Sequence, residues 1–342
     1  MADLARLAGV SKSTVSRALS GDQRISESTR RRIANLAKQM RYRPNLAAAS
    51  LATRRTNALG LVIPSPPRTF SNPFYLEFVS GVGDFALGEG YTMFFTTGDV
   101  LVAGDVEGLP PLVAQADGFV LTEPRVADPR IPRLREWGKP FVFLGSVDEA
   151  DDAGDGGCVW IEGDNVSGVE MVVRHLIELG HRHIGCITGA PGYVSTEHRW
   201  TGFLRAMEKA GLPIDPRSIA TGDFTEEGGR QAAAELMRRY PEMTGLVAAN
   251  DLMAIGALNA LTAAGKKVPD DVAVTGFDGI HFGRLMSPTL TTAEQPIYEM
   301  GRLAAGLLIR QVRGETLAET RVTLPCRLTI RESTVGGKPV LR

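Results

Sequence analysis

The chain has 342 residues, which is too long for one ordinary compact core and predicts two to three domains. Hydrophobic residues make up 43% of it and charged residues 23%, a composition that excludes a disordered chain, and no apolar run approaches the length of a membrane-spanning helix. The formal net charge of −1 hides an asymmetry, because residues 1–58 carry twelve basic against three acidic side chains and the remainder is correspondingly acidic.

Three short helices are predicted at the start of the chain. The first spans residues 2–8 and ends at Gly9, and the second spans 12–19 after Ser11 as its N-cap. The third begins after Ser26 and runs to about residue 40. Apolar side chains at helical spacing predict the inward faces, namely Leu4, Leu7, Ala8, Val15, Ala18, Leu19, Ile33, Leu36, Ala37 and Met40. Two helices joined by a tight turn with glycine predict an all-α helix-turn-helix headpiece over residues 1–45.

The outward side of the second helix is polar, small or basic in its N-terminal half, where a recognition helix contacts DNA bases. Arg17 suits a bidentate contact with guanine, and Lys12 and Ser13 suit neighbouring bases. Suitable side chains for phosphate contacts are those of Ser11, Thr14 and Ser16. Two further DNA-binding candidates are Arg24 and Asn45. A solvated helical face is the alternative interpretation of this basic surface.

The alanine-rich stretch LAAASLA at residues 46–52 has no cap strong enough to hold so short a helix by itself. We expect the segment 46–56 to be disordered in the free protein. Paired on DNA with its copy from a second subunit, it could fold into a helix and insert Leu51 between base steps of the minor groove. A plain flexible linker is the alternative interpretation.

The run DLARLAGVSKSTVSRALSG, followed by RISESTRRRIANLAKQMRYRPNLAAASLATRRTNALGLVIP, resembles the headpiece, hinge and first strand of the lactose-repressor (LacI/GalR) family. The resemblance continues through the whole chain. It implies base contacts by Lys12, Ser13 and Arg17, and insertion of Leu51 into the minor groove with Ala48 beside it. Two positions depart from the family pattern: many members carry an Arg where this chain has Ala49, and an Asn is common where it has Ser20.

Beyond residue 57, apolar runs typical of buried parallel strands alternate with amphipathic helices. Two successive series of this kind predict an α/β body of two doubly wound parallel-sheet lobes, with a ligand site at the carboxyl ends of the strands. The family resemblance implies a hinged clamp like that of periplasmic sugar-binding proteins, in which the chain crosses between lobes near residues 161, 290 and 322. The expected first lobe is then 57–160 with 291–321, and the second is 161–290 with 322–335.

Several polar side chains lie at predicted strand ends in the second lobe. Arg199 could fork onto hydroxyls or a carboxylate, although a surface helix arginine would have the same sequence context. Asn250 and Asp251 follow a strand, where either could cap the next helix, and for Asp251 we favour the cap. Asp278 also follows a strand, and its carboxylate could accept from two adjacent sugar hydroxyls.

Three aromatic residues could stack on a ligand ring, or could simply belong to the core: Phe224 in the second lobe, and Phe74 and Tyr75 in the first. The resemblance implies effector contacts by Arg199, Asn250, Asp278 and Phe224. Gly145 and Ser146 depart from members that carry a charged residue at this strand end. The apolar side of the helix 297–311 is either first-lobe core or a dimer face, and the resemblance implies a share in the dimer.

The sequence contains no phosphate-binding loop, nucleophile elbow or zinc-protease motif, which argues against an enzyme and predicts no cofactor. Three cysteines, odd in number and widely spaced, predict buried thiols and no metal site. His181 and His183 are expected to cap or pack, and His281, near Asp278, has no accompanying nucleophile. The N-terminus lacks the order of an export signal, which favours the cytoplasm over a secreted solute-binding protein.

These observations predict a sequence-specific transcriptional regulator, most simply a repressor, that binds a palindromic operator in double-stranded DNA as a homodimer. The cleft is expected to bind a small effector, for which a sugar or sugar derivative suits the carboxylate and amide side chains. A purine or nucleoside, or a phosphoprotein corepressor, is the alternative effector. A solute-binding protein is the alternative function.

Overall fold

The structure is a computed structural model that describes residues 1–19, 22–40, 42, 55–63, 72–97, 101, 111–148 and 157–336. The chain divides into two compact units, Met1–Thr56 and Asn57–Arg342. Ser20, Asn45, Ala48, Ala49 and Leu51, and with them most of the expected hinge, lie outside the described residues. Among the helices of the described residues, none is both long and apolar enough to cross a membrane.

The first unit contains the three predicted helices, α1 (Ala2–Ala8), α2 (Lys12–Leu19) and α3 (Glu27–Gln39). The predicted ends are confirmed. Gly9 ends α1 in the left-handed region with φ 62°, where glycine has no steric penalty. The Ser11 hydroxyl accepts from the Thr14 N–H at 3.1 Å, and Ser26 caps α3. The turn between α1 and α2 is therefore the tight one that a helix-turn-helix needs.

The core of the headpiece follows the predicted spacing with two exceptions. Its buried residues are Leu4, Ala5, Ala8, Val15, Ala18, Ile33 and Ala37, with Leu19 and Leu36 packed against them. Leu7, expected inside, is 58% exposed, because the buried stripe of α1 passes through Leu4, Ala5 and Ala8 and leaves Leu7 at its outer margin. Met40 is 39% exposed, since it follows the last residue of α3.

The second unit alternates strands and helices. Its described strands are β1 (Ala58–Ile63), β2 (Thr92–Thr97), β3 (Gly118–Thr122), β4 (Phe141–Leu144), β5 (Trp160–Gly163), β6 (Ile184–Thr188), β7 (Ile219–Thr221), β8 (Gly245–Ala248), β9 (Ala273–Asp278), β10 (Thr291–Glu294), β11 (Arg321–Leu324) and β12 (Arg327–Thr329). Its described α-helices are α4 (Pro73–Gly88), α5 (Pro111–Ala114), α6 (Arg130–Glu136), α7 (Asn165–Glu178), α8 (Val194–Lys209), α9 (Glu226–Arg239), α10 (Asp251–Ala263), α11 (Ile297–Arg313) and α12 (Glu332–Val335).

The described strands form two six-stranded sheets, one in each lobe. The first has the order β11-β5-β4-β3-β1-β2, and the second has the order β12-β10-β9-β8-β6-β7. Neighbouring strands pair in parallel except β10 and β12, which are antiparallel. The first strand of each series, β1 or β6, lies between the next two strands along the chain, so the order reverses there. Two doubly wound parallel lobes confirm the predicted fold class.

The chain passes between the lobes a few residues later than expected. β5 ends at Gly163 and β11 at Leu324, and both belong to the sheet of the first lobe. Thr291–Glu294, assigned from the sequence to the first lobe, pairs with β9 in the second. The expected boundaries near 161, 290 and 322 are therefore corrected, because pairing with a neighbouring strand holds each segment to its sheet until the strand ends.

Helix α11 packs against α4 on the first lobe. The carbonyl of Tyr298 lies so close to Gly81 that any Cβ there would collide with it, and Gly301 meets the carbonyl of Phe78 in the same way. The apolar side of α11 is buried in the first-lobe core, including Met300, Ala304 and Leu308. The structure thus assigns this side to the core. The role in a dimer interface that the resemblance implied is not needed to bury it.

Candidate functional site

The carboxyl ends of strands from both lobes meet at one cleft, with an empty volume of about 600 Å³ that includes open solvent at its mouth. The described residues that line it are Asn72, Phe74, Tyr75, Glu123, Pro124, Leu144, Gly145, Glu162, Gly163, Asn165, Ser195, Arg199, Phe224, Asn250, Asp278, Gln295 and Met300. All six side chains that the sequence singled out for an effector are among them. The cleft therefore lies where open α/β sheets bind ligands.

Arg199 lies near the start of α8 and joins several parts of the second lobe. Its Nε donates to Asn165 Oδ1 at 2.9 Å, its Nη1 to the Ala249 carbonyl at 2.6 Å, and its Nη2 to Asp278 Oδ1 at 3.3 Å. Its guanidinium also lies 4.0 Å from the ring centroid of Phe277. Both members of the Arg199–Asp278 pair are buried, so the alternative of a surface arginine does not hold.

Asp278 is held by a second donor, the side-chain amide of Gln295 at 2.8 Å. Burial raises the pKa of Asp278 to about 6, although Arg199 and Gln295 both favour its ionised form. Gln295 lies on the segment that carries the chain back to the first lobe. The carboxylate is therefore linked both to α8 and to a crossing between the lobes.

The helix cap after β8 belongs to Asn250, which corrects the expectation for Asp251. Asn250 Oδ1 accepts from the Met253 N–H at 2.9 Å, and its Nδ2 donates to the Phe224 carbonyl at 3.1 Å. Asp251 is instead buried and accepts from the N–H groups of Gly279 and Ile280, each at 2.8 Å. One of the two neighbours thus positions the cleft loop at Phe224, and the other anchors the loop after β9.

Three non-glycine residues of the cleft have left-handed backbone torsions: Glu123 with φ 50°, Phe224 with φ 66° and Asp278 with φ 111°. Such conformations cost about 1–3 kcal/mol each and persist only where surrounding contacts impose them. Tyr193 contacts Phe224 edge to face, with ring centroids 6.1 Å apart. The strain is therefore concentrated at the carboxyl ends of the strands, where side chains of both lobes face the cleft.

The first-lobe wall is built on the start of α4 and the end of β3. Asn72 Oδ1 accepts from the Phe74 N–H at 3.0 Å, and the rings of Phe74 and Tyr75 meet edge to face. The Tyr75 hydroxyl donates to a carboxylate oxygen of Glu123. Burial raises the pKa of Glu123 to about 7, against the opposing influence of Arg130 and Arg199.

A second acidic group of this wall is Glu162, near the end of β5. Its Oε2 accepts from Ser146 Oγ at 2.9 Å and from Asn165 Nδ2 at 3.1 Å, and it lies 3.6 Å from Nδ1 of His198. Gly145, beside Ser146, has φ 109°, and an added Cβ would collide with Pro124. The backbone therefore requires glycine at this departure from the family pattern, and Ser146 serves to hold Glu162.

The sequence reasoning did not assign Glu123, Glu162, Asn165 or Gln295 to the site. Glu123 closes the apolar run GFVLTE, so its position at a strand end was a usable signal. Glu162 had no such signal, because β5 is only four residues long and its apolar pattern is not distinct. Asn165 and Gln295 lie next to crossings between the lobes, which only strand pairing reveals.

Backbone contacts join the two lobes beside the cleft. The Val126 N–H donates to the Gly192 carbonyl at 3.0 Å, and the Val194 N–H donates to the Pro124 carbonyl at 3.2 Å. Arg125 lies between them, with its guanidinium 5.5 Å from the ring centroid of the second-lobe Tyr193. We call the contact of residues 124–126 with 192–194 the interlobe latch. It holds the lobes together on one side of the cleft.

The DNA-binding candidates of the headpiece that the structure describes lie on its surface. Lys12, Ser13, Ser16 and Arg17 are exposed on α2, opposite the buried Val15 and Ala18. Ser11 is also exposed and Thr14 half-buried, and these two bond to each other as part of the helix cap. The exposed Arg24 forms an ion pair with Asp22 at 2.7 Å. A polar and basic helix face is thus exposed to solvent, as a DNA-recognition helix requires.

The remaining sequence candidates have structural roles. His181 Nδ1 bonds with the Thr244 hydroxyl and His183 Nδ1 with the Tyr240 hydroxyl, so both histidines pack as expected. Cys158 and Cys186 are buried, whereas Cys326 is only half-buried, which corrects that expectation. Within the described part of the chain, no group of three or more His, Cys, Asp or Glu side chains is placed to hold a metal ion.

Comparison with known proteins relates both units to established families. Residues 1–45 match the description "Bacterial regulatory proteins, lacI family", and residues 173–334 match "Periplasmic binding protein-like domain". The chain is 35% identical over 334 residues to the HTH-type transcriptional regulator CelR of Thermobifida fusca, covering 96% of both chains. It is 34% identical over 327 residues to the ribose operon repressor of Escherichia coli (strain K12), covering 95% of this chain and 96% of the relative.

Solved structures agree with these relatives. A complex of the transcriptional regulator CelR with cellobiose superposes with a TM-score of 0.74 at 33% identity, covering 96% of this chain and 98% of that one. A Lac repressor dimer bound to operator and an anti-inducer has a TM-score of 0.80 at 24% identity, covering 97% and 98% of the two chains, a likeness that concerns the fold. These relatives are named as transcriptional regulators or repressors. Matched along nearly its full length, the chain belongs to the LacI family of bacterial transcriptional regulators.

Proposed function

We propose that this chain is a transcriptional repressor that binds a palindromic operator as a homodimer and changes its affinity for DNA when a carbohydrate occupies the cleft. Residues 1–45 would read the operator, 46–56 would form the hinge, and 57–342 would bind the effector and dimerise. The observation that carries the proposal is the cleft, where six side chains chosen from the sequence meet. Acting on operator DNA would place the protein in the cytoplasm, at the nucleoid.

The exposed side of α2 supports operator reading. Arg17 lies there with Lys12, Ser13 and Ser16, within a headpiece segment whose basic side chains outnumber its acidic ones twelve to three. A bidentate Arg–guanine contact contributes about 1–3 kcal/mol of discrimination between bases. The surrounding positive charge attracts any duplex, and its contribution falls as salt rises.

The composition of the cleft supports a carbohydrate. Asp278, Asn250 and Arg199 present carboxylate, amide and guanidinium groups, which match the donors and acceptors of sugar hydroxyls. Phe74 and Phe224 add apolar ring surface on opposite lobes. One relative was solved with cellobiose and another is named as a ribose operon repressor. These names favour a sugar over the purine or phosphoprotein alternatives.

Exposed apolar side chains support a homodimer. Leu76 and Leu87 are 53% and 69% exposed, and their spacing of eleven residues puts both on one face of α4. Beside that helix, β2 is the edge strand among the described strands of its sheet. Phe282 and Leu285 are exposed on the second lobe. A second copy of the chain would cover such a surface, and a two-fold dimer would address the two half-sites of a palindrome.

Lobe closure supplies the mechanism of control. Arg199, Asp278 and Gln295 link the effector position to a crossing between the lobes, and the interlobe latch joins the lobes beside the cleft. A ligand that binds the closed arrangement better shifts the population toward it. A coupling of about 1–3 kcal/mol would change operator affinity by roughly 5- to 150-fold.

Reciprocal substitutions test the two sites separately. We expect Arg17→Ala to lose about 10- to 100-fold of its preference for operator over scrambled DNA, because it loses the base contact, while effector affinity is unchanged. Asp278→Asn should do the reverse, since asparagine tolerates the left-handed backbone but removes the carboxylate. The operator is taken from promoter fragments that the wild-type protein selects from genomic DNA. Fluorescence anisotropy on such a fragment, with and without cellobiose or ribose, measures both operator preference and the response to the sugar.

A matched control is Arg31→Ala, which removes the same charge from an exposed position of α3 and should retain operator preference. If Arg17→Ala still preferred operator over scrambled DNA as the wild type does, the assignment of α2 as the recognition helix would be refuted. An undiminished sugar response in Asp278→Asn would remove that carboxylate from the effector site.

A further inference from the structure

The charge of the cleft is unbalanced. Three carboxylates line it, Glu123 and Glu162 from the first lobe and Asp278 from the second, and Arg199 is the one basic side chain among the described lining residues. An anionic ligand would therefore enter a site whose own described groups carry a net charge of −2 when all are ionised. Repulsion between like charges is stronger in such a partly desolvated cleft than in bulk water.

Arg199 is not free to offset this imbalance. Each of its three nitrogens already donates to the protein: to Asn165, to the Ala249 carbonyl and to Asp278. One face of the guanidinium is covered by the Phe277 ring. Each Nη has one further N–H, but a ligand carboxylate or phosphate that accepted from these two groups would share with Asp278 a cation whose charge Asp278 already offsets.

The two first-lobe carboxylates each keep an oxygen for a ligand. Tyr75 donates to Oε1 of Glu123, and the described donors of Glu162 all meet its Oε2. The second oxygen of each group has no donor among the described residues. Ionised carboxylate oxygens only accept hydrogen bonds, so they are satisfied by hydroxyl or ammonium groups and not by another anion.

The positions of these acceptors are fixed by buried contacts. Arg130 pairs with Asp128 at 2.6 Å and also donates to the carbonyls of Thr122 and Glu123, each at 3.1 Å, which holds the end of β3 in place. Ser146 and Asn165 hold Glu162. Turning away from an entering anion would cost the Glu123 carboxylate its bond from Tyr75, and the Glu162 carboxylate its bonds from Ser146 and Asn165.

We propose that the cleft selects ligands that donate hydrogen bonds to carboxylates, namely neutral sugars and sugars bearing an amine, and rejects their anionic derivatives such as uronates and sugar phosphates. This inference rests on the proposed carbohydrate effector and narrows it to a class. Glu123 and Glu162 are the specificity-determining residues, because they face the ligand from the lobe opposite Arg199.

Matched ligand series test the inference with the full-length protein at pH 8. Isothermal titration calorimetry would compare glucose, glucosamine, glucuronate and glucose 6-phosphate, and the corresponding galactose series, ribose with ribose 5-phosphate, and cellobiose with cellobionate. In whichever series binds, we expect the anionic members to bind at least about 30-fold more weakly than the neutral one, from the Coulomb repulsion of nearby carboxylates. An amine-bearing member should bind at least as tightly as the neutral sugar.

Substitution of the carboxylates identifies the cause. Glu123→Gln and Glu162→Gln should each reduce the difference in affinity between neutral and anionic ligands by about tenfold. Each substitution removes one negative charge with little change in shape. The matched control Glu208→Gln removes a charge from an exposed position of α8 and should leave this difference in affinity unchanged. Two glutamine variants are used so that a folding defect in one leaves the other as a readout.

The outcomes separate this inference from the proposed function. An anionic member that binds as tightly as its neutral partner would overturn the inference while leaving the carbohydrate effector in place. A difference in affinity that both glutamine variants leave intact would overturn the role of the two carboxylates. Failure of every sugar series to bind would overturn the carbohydrate effector and this inference together.

Discussion

Two buried ion pairs hold the loops of the cleft, and each pair is made within one lobe. Arg130 and Asp128 are almost completely buried in the first lobe, and Arg199 and Asp278 in the second. Removing one member of a buried pair leaves an uncompensated charge and costs about 3–5 kcal/mol. Substitutions at these positions would therefore affect folding and ligand binding together. Asp278→Asn keeps the buried shape but removes the charge, so thermal unfolding of this variant should accompany its sugar titration.

His198 forms a pH-dependent contact between the lobes. Its Nδ1 lies 3.6 Å from Glu162 and 3.5 Å from the Ser146 hydroxyl, and Glu197 and Asp164 add negative charge nearby. The hydrogen bond to Glu162 raises the pKa of His198 above its usual value. The contact therefore stabilises the fold fully below about pH 6.5, the usual value, and is lost as pH rises through the raised pKa.

We expect His198→Gln to lower the melting temperature near pH 6 and to have a smaller effect near pH 9, because the wild-type imidazole is then neutral. Thermal unfolding of the full chain across this range measures the difference between wild type and variant. His281→Gln, at an exposed position, is the control and should show no such trend. A difference for His198→Gln that stays constant with pH would contradict the assignment.

The start of α10 is the structural junction of the second lobe. Asn250 caps the helix, and the adjacent Asp251 accepts from two N–H groups after β9 and from the Thr292 hydroxyl of β10 at 2.6 Å. One buried carboxylate thus joins a helix to two consecutive strands. The loop that it holds directly follows Asp278, so the position of the Asp278 carboxylate in the cleft depends on this junction.

Asp251→Ala should destabilise the second lobe by about 2–3 kcal/mol, because it removes the acceptor of the buried Gly279 and Ile280 N–H groups and the partner of the Thr292 hydroxyl. The midpoint of chemical unfolding measures the loss of stability, and a sugar titration of the folded variant measures any loss of binding. The matched control Asp270→Ala removes an exposed carboxylate near the same sheet and should change stability by less than about 0.5 kcal/mol. Equal effects of the two substitutions would show that the buried contacts do not contribute.

Charge and apolar surface are distributed unevenly over the protein. The headpiece sequence is basic and the rest is acidic, which restricts attraction for DNA to one part of the chain. Apolar side chains remain exposed on α4, and a single copy of the chain leaves them in water. Both features fit a protein that meets DNA through its headpieces and a second copy through its body.

Leu87→Glu should separate the proposed dimer, because it introduces a charge into the exposed apolar face of α4. We expect a loss of at least tenfold in operator affinity with sugar binding retained, since the cleft lies within one chain. Analytical ultracentrifugation measures the assembly, and anisotropy measures DNA binding. Leu179→Glu, at the exposed residue that follows α7 in the second lobe, is the control. A variant that remains dimeric would exclude this face from the interface.

The sequence by itself determined the helices of the headpiece, the two α/β series and six residues of the cleft, because these depend on local signals: caps, 3.6-residue spacing, apolar strands and the residues that end them. Strand pairing in three dimensions decided what local signals cannot carry. It placed Thr291–Glu294 in the second lobe and brought Glu162 to the cleft from a four-residue strand.

Tertiary packing also decided which of several equivalent side chains took each role. Asn250 and Asp251 are equally good caps by sequence, and only the nearby loops assigned the cap to one and the buried anchor to the other. The apolar side of α11 could have formed first-lobe core or a dimer face by sequence, and the close packing of this helix against α4 at Gly81 placed that side in the core. Contacts between residues far apart in the chain have no periodicity to reveal them, so they follow from the folded structure.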